Sequence, residues 1–111
     1  MFGEKDERRR MRRLPLALSG HYRVESGADY ACETENVSAT GILIRGSGGG
    51  GVGEWVIAHL DELGRVEGVV VRSAEDAFAL EIAATPGMAR ELAVRLERLY
   101  QQELSETALC L

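Results

Sequence analysis

Two cysteines, two prolines and an aromatic content of 5 per cent leave this 111-residue chain short of residues on which several functions depend. Cys32 and Cys110 are too few and too far apart for a metal framework, no CxxC pair occurs, and both read as reduced thiols. No apolar run is long enough to span a bilayer, and no apolar signal segment follows the charged N-terminus. A cytoplasmic protein without membrane insertion is expected. Asn36-Val37-Ser38 has the form of a glycosylation sequon, but without a secretory signal it would not meet the enzyme. His21 and His59 are distant in sequence and have no nucleophile partner, so they read as ordinary strand histidines. No catalytic residue set can be named, and neither an enzyme nor a bound cofactor or metal is expected. Gly46, Gly48 and Gly51 spell GxGxxG, yet a strand pattern follows where a phosphate-binding helix would be needed, and no Lys-Ser or Lys-Thr is present. That stretch reads as a flexible hairpin loop.

What is present suits one compact domain, with 45 per cent hydrophobic and 28 per cent charged residues. The net charge of -5 is unevenly placed. Residues 1–13 hold six basic and three acidic side chains, a net of +3, whereas residues 14–111 hold seven basic and fifteen acidic ones, a net of -8. An acidic body repels long polyanions, which argues against a nucleic-acid partner. A small anion held at the basic arm escapes that objection.

Leu14, Leu16 and Leu18 alternate with Pro15, Ala17 and Ser19, and the period of two continues through Tyr22 and Val24. Further strands are expected over 30–37, 41–45, 54–60, 64–73 and 76–83, with turns at 25–29, 62–64 and 74–75. Six short strands joined by tight turns suggest an antiparallel barrel or sandwich, and closure removes exposed edges. Trp55 fits the core, with a rim position as the alternative. Thr85 then suits an N-cap and Pro86 a first helical position. From 88 to 104, Ala89, Leu92, Ala93, Leu96, Leu99 and Tyr100 make one apolar stripe. The expected organisation is a basic arm over 1–13, a barrel over 14–84, an amphipathic helix over 85–104 and a frayed tail over 105–111. The helix serves either as a lid on the barrel or as a partner surface, in a monomer or weak dimer.

Five arginines, Arg8, Arg9, Arg10, Arg12 and Arg13, crowd the end of the arm. Guanidinium is always charged and forks onto phosphate oxygens or the O6/N7 edge of guanine. One hairpin later comes Asn36-Val37-Ser38-Ala39-Thr40-Gly41, an [Asp/Asn]xSxxG pattern. Arg9 to Arg13 supplies RxxxR just before Leu14-Pro15, and Arg8 to Arg12 is a second register that fits this junction less well. Both motifs, in this order and in an all-β setting, resemble the PilZ domain family of bacterial cyclic di-GMP receptors, over about residues 7–84 with the helix as a compatible extension.

The resemblance implies an all-β fold with a C-terminal helix, namely a six-stranded antiparallel PilZ-type β-barrel. It also implies a nucleotide site made of Arg9, Arg13, Asn36, Ser38 and Gly41, with Arg8 and Arg10 supplying a supporting field. Arg9 and Arg13 would be roughly 13 Å apart in an extended segment, so the arm must bend for both to reach one ligand. Asn36 would read a guanine edge, Ser38 would offer its hydroxyl, and Gly41 would let the backbone come close. Crowded like charges suggest an arm that is loose until the ligand orders it. The family binds one cyclic di-GMP or an intercalated pair, and it acts in motility, biofilm or exopolysaccharide control through a downstream protein. Two other readings stay open: a PilZ-like adaptor that ignores nucleotide, and a barrel that binds single strands.

Overall fold

The computed structural model describes residues 12–46, 48 and 50–109. Arg8, Arg9 and Arg10 lie outside the described residues, as does Cys110. Six strands, β1 (Ser19–Arg23), β2 (Asp29–Val37), β3 (Gly41–Gly46), β4 (Trp55–Leu60), β5 (Gly64–Ser73) and β6 (Ala77–Ile82), precede one helix, α1 (Pro86–Leu109). All pairings are antiparallel, and the order β1-β2-β3-β6-β5-β4 closes through β1 against β4. This is the expected six-stranded barrel.

The core follows the alternation of the sequence. Leu14, Leu16, Leu18, Tyr22 and Val24 are buried, as are Val37, Ile42, Ile44, Val56, Val70 and Leu80 from the other strands. The first strand is nevertheless shorter than the 14–24 expected. Leu14 bridges Val37 through reciprocal backbone hydrogen bonds of 2.8 and 2.9 Å, and regular pairing resumes only at Ser19. Between them Pro15 has no N–H to offer. The buried Thr34 hydroxyl replaces the missing ladder, accepting from Leu18 N at 2.8 Å and donating to Leu16 O at 2.6 Å.

In the glycine-rich crossing from β3 to β4, Gly48 and Gly50 are packed against the barrel while 51–53 are exposed, which corrects the expectation of a flexible hairpin loop. Strands β3 and β4 are not neighbours, so the segment passes over the end of the barrel. Tyr22 donates its hydroxyl to Gly48 O and accepts from Gly48 N at 3.2 Å. Gly50 has φ of 78°, and a Cβ there would meet the Phe78 ring at 2.6 Å. Only glycine combines that backbone with that contact. The Glu54 carboxylate accepts from Gly50 N and Gly51 N at 3.1 and 3.0 Å, closing the turn.

Helix α1 starts where the sequence indicates, with Thr85 Oγ1 accepting from Met88 N at 3.2 Å. Ala89, Ala93 and Leu96 are buried, and Leu92, Leu99 and Tyr100 pack partly against the core. Arg95 also donates to Leu63 O at 3.2 Å. The stripe therefore lies on the barrel, while Met88, Val94 and Leu104 are exposed. The helix runs on to Leu109 through residues expected to fray, since no glycine or proline interrupts 105–109. No helix among the described residues is long and apolar enough to cross a membrane.

Candidate functional site

Asn36 owes its outward position to a β-bulge. Along β2 the inward positions run Tyr30, Cys32 and Thr34, so strict alternation would send Asn36 inward too. The register against β3 slips between Thr34 and Asn36: Thr34 opposes the buried Ile44, Asn36 the half-buried Leu43, and Val37 the buried Ile42. Glu35 is the extra residue, and Arg45 of β3 pairs with its carboxylate. One inserted residue thus turns Asn36 to the outer face and restores Val37 to the core.

The bridge between Leu14 and Val37 then brings Arg13 to the same place. Arg13 Nη1 donates to Asn36 Oδ1 at 2.6 Å, joining segments 23 residues apart. The turn beyond is held by Ser38, which is 2 per cent exposed. Its Oγ accepts from Gly41 N at 3.0 Å and Thr40 N at 3.3 Å and donates to Gly41 O at 3.1 Å. The Ser38 hydroxyl, expected to face a ligand, therefore points into its own turn, because the turn's amides would otherwise be buried without partners. At Gly41 a Cβ would lie 3.4 Å from an Arg13 guanidinium nitrogen and 3.4 Å from Leu80 O, so glycine keeps a narrow space open beside Arg13. Ala39 of the turn packs on Ala89 and Ala93, which ties the turn to α1.

Arg13 and Asn36 form one wall of an open depression of about 420 Å³, floored by Leu43, Phe78 and Ala79 and bounded opposite by Val71 and Arg72. A similar depression, about 430 Å³, lies between α1 and the β4–β5 hairpin, but it contains none of the motif residues. Arg12 turns away from the first depression. Its guanidinium pairs with Glu97 of α1 at 3.2 and 3.4 Å and lies 5.8 Å from the centre of the Tyr100 ring. Of the two RxxxR registers, the one ending at Arg13 thus has its last arginine beside Asn36.

Val71 and Arg72, which line the depression, belong to no motif of the sequence. The β5 register has to be known before Arg72 can be placed. Likewise, His21 and His59, remote in sequence, face each other across β1 and β4 with ring centres 5.1 Å apart. Arg23 beside them holds the Asp29 carboxyl below its ordinary value through a hydrogen bond at 3.1 Å. No group of three or more His, Cys, Asp or Glu among the described residues could hold a metal ion. Burial pushes the Cys32 thiol up to about 11, so it stays protonated and unreactive near neutral pH. The polar groups that line the depression beside Arg13 include the guanidinium of Arg72 and the carboxamide of Asn36.

Comparison with known proteins agrees with that architecture. A family model described as the PilZ domain matches residues 7–100. The chain belongs to the PilZ domain family. A solved structure titled as the PilZ domain of CeSA from a cellulose synthesizing bacterium is similar with a TM-score of 0.62 at 15 per cent identity, over 77 per cent of this chain and 93 per cent of that one. At that identity the likeness concerns the fold alone. No match was found among curated proteins. In this PilZ domain, the second motif occupies the β2 bulge and the β2–β3 turn, and Arg13 meets it from the first.

Proposed function

We propose that this PilZ domain is a non-enzymatic receptor for cyclic di-GMP that signals to a protein partner, in motility, biofilm or exopolysaccharide control. The observation that carries the reading is the Arg13–Asn36 hydrogen bond at the rim of an open depression, where the two family motifs meet. Arg13 keeps further guanidinium donors for a phosphate or a guanine O6/N7 edge, and Asn36 keeps its amide donors for a guanine acceptor. Arg9 joins from the arm, with Arg8 and Arg10 adding positive field. Gly41 leaves the approach clear, and Ser38 contributes by holding the turn rather than by touching the ligand.

Calorimetric titration of cyclic di-GMP, with GTP as the control, tests the proposal. Cyclic di-GMP is expected to bind and GTP not, and Arg9→Ala or Arg13→Ala is expected to weaken binding about 10- to 100-fold, the worth of one bidentate arginine. Unchanged affinity in both variants would sink the assignment. Charge-assisted binding also weakens with salt. A melting temperature that ignores cyclic di-GMP, together with recovery of a stable protein partner, would favour the adaptor function.

A further inference from the structure

The depression continues away from the motif residues in an ordered way. Asn36 of β2 pairs with Leu43 of β3, Leu43 with Ala79 of β6, and Ala79 with Arg72 of β5. These four residues form a single rung across four strands, all on the outer face. Three strand spacings separate its ends, roughly 14 Å along the sheet. The middle of the rung is apolar, and each end carries a side chain able to hydrogen bond.

Arg72 reaches its end through a second bulge. Along β5 the buried inward positions are Val66, Gly68 and Val70, so alternation alone would put Arg72 in the core. The register against β6 slips between Val70 and Arg72, which makes Val71 the extra residue. Val71 is consequently 46 per cent exposed, and Arg72 is turned outward beside it. Arg12, Arg23, Arg45 and Arg65 pair with carboxylates, whereas Arg72, like Arg13, has no carboxylate partner among the described residues. The bulge keeps the guanidinium out of the core, and it also presents to the depression an exposed valine and an arginine with no carboxylate partner among the described residues.

We infer that Arg72 is a further ligand contact, holding the far end of a two-base nucleotide whose near end is held by Arg13 and Asn36. Leu43 and Ala79 form the apolar floor between the two ends, and Val71 offers an apolar edge to the second base. Arg72 then forks onto that base's O6/N7 edge or onto the adjoining phosphate. A mononucleotide has one base only and so cannot offer a guanine edge at both ends. This inference rests on the cyclic di-GMP reading above.

The test is calorimetry with cyclic di-GMP on wild type, Arg13→Ala, Arg72→Ala, Arg72→Lys and, as a control on β1, Arg23→Ala. Arg72→Ala is expected to weaken binding about 10- to 100-fold, with Arg72→Lys in between because a point charge cannot fork, and Arg23→Ala within about twofold of wild type. Thermal melts of the same variants confirm folding, which an exposed side chain should not endanger. If Arg13→Ala weakens binding but Arg72→Ala stays within about twofold of wild type, the inference fails while the receptor reading stands. If wild type does not bind at all, both fail.

Discussion

Replacing Thr34 by valine is expected to loosen the segment that carries Arg13. Thr34 is 2 per cent exposed, and its hydroxyl stands in for the ladder over Leu14–Leu18, accepting from Leu18 N and donating to Leu16 O. Valine keeps the shape and removes both bonds, leaving a backbone donor and a backbone acceptor without partners. Leu16 and Leu18 are themselves buried, so water cannot readily take over. Each orphaned group costs about 1–3 kcal/mol, so the sum is roughly 2–6 kcal/mol against a domain stability of about 5–15 kcal/mol. At about 4–8 °C per kcal/mol for a domain of this size, the melting temperature should fall by roughly 10 °C or more. Urea unfolding of wild type, Thr34→Val and Thr34→Ser is the assay. The serine variant keeps both hydrogen bonds and loses one methyl group, costing about 1 kcal/mol. If Thr34→Val lies within about 0.5 kcal/mol of wild type, or if it is more stable than Thr34→Ser, the account of this segment is wrong. Where the variant remains folded, its affinity for cyclic di-GMP should fall too, because Arg13 is positioned by the Leu14–Val37 bridge.

Gly41→Ala separates folding from binding: the added Cβ finds 3.4 Å to its neighbours, so urea unfolding should change by less than about 1 kcal/mol, whereas cyclic di-GMP affinity by calorimetry should fall at least tenfold. Arg12→Ala should cost less than about 1 kcal/mol, since its ion pair with Glu97 is largely exposed, and should leave cyclic di-GMP affinity within about threefold; a larger loss of affinity would favour the register from Arg8 to Arg12. The Cys32 thiol is held at about 11 against an ordinary 9.0, so the unfolded chain gives up this proton first as pH rises. Its contribution to stability is full below about pH 9 and is lost between about pH 9 and 11. In a Cys110→Ser background, alkylation of native Cys32 at pH 8 should accordingly be much slower than after unfolding, and equal rates would contradict the burial.

Hydrophobic alternation carried most of the fold, because a barrel with one buried face per strand writes its geometry as a period of two. Strand β5 begins and ends where the pattern indicates, at Gly64 and Ser73, and Thr85 caps α1 as its type and position suggest. Departures occur where a side chain substitutes for backbone pairing or where contacts are remote. Thr34 taking over the hydrogen bonds of Leu16 and Leu18 leaves no trace in alternation, so the first strand reads as continuous. The packing of Gly50 on Phe78 depends on a contact between residues 28 positions apart, and composition alone makes the same segment look like a linker. Pairings such as His21 with His59, or Arg12 with Glu97, require a barrel register and a helix orientation that no local pattern encodes.

The two bulges explain why the same pattern that reveals the strands misplaces Asn36 and Arg72. Counted from Cys32 and Thr34, or from Gly68 and Val70, both polar side chains fall on the inner face. A carboxamide or guanidinium placed there among Val37, Ile42, Val70 and Leu80 would lose its water without gaining partners, a cost of several kcal/mol for the amide and more for the charge. A strand can avoid this by breaking, or by admitting one extra residue that exchanges its faces. Strands β2 and β5 take the second course, at Glu35 and at Val71, and each returns to regular pairing within a residue. The extra residues solve the burial problem separately, yet they place Asn36 and Arg72 on one rung at opposite ends of one depression. Chance gives no reason for that alignment, whereas a ligand with two recognisable ends does.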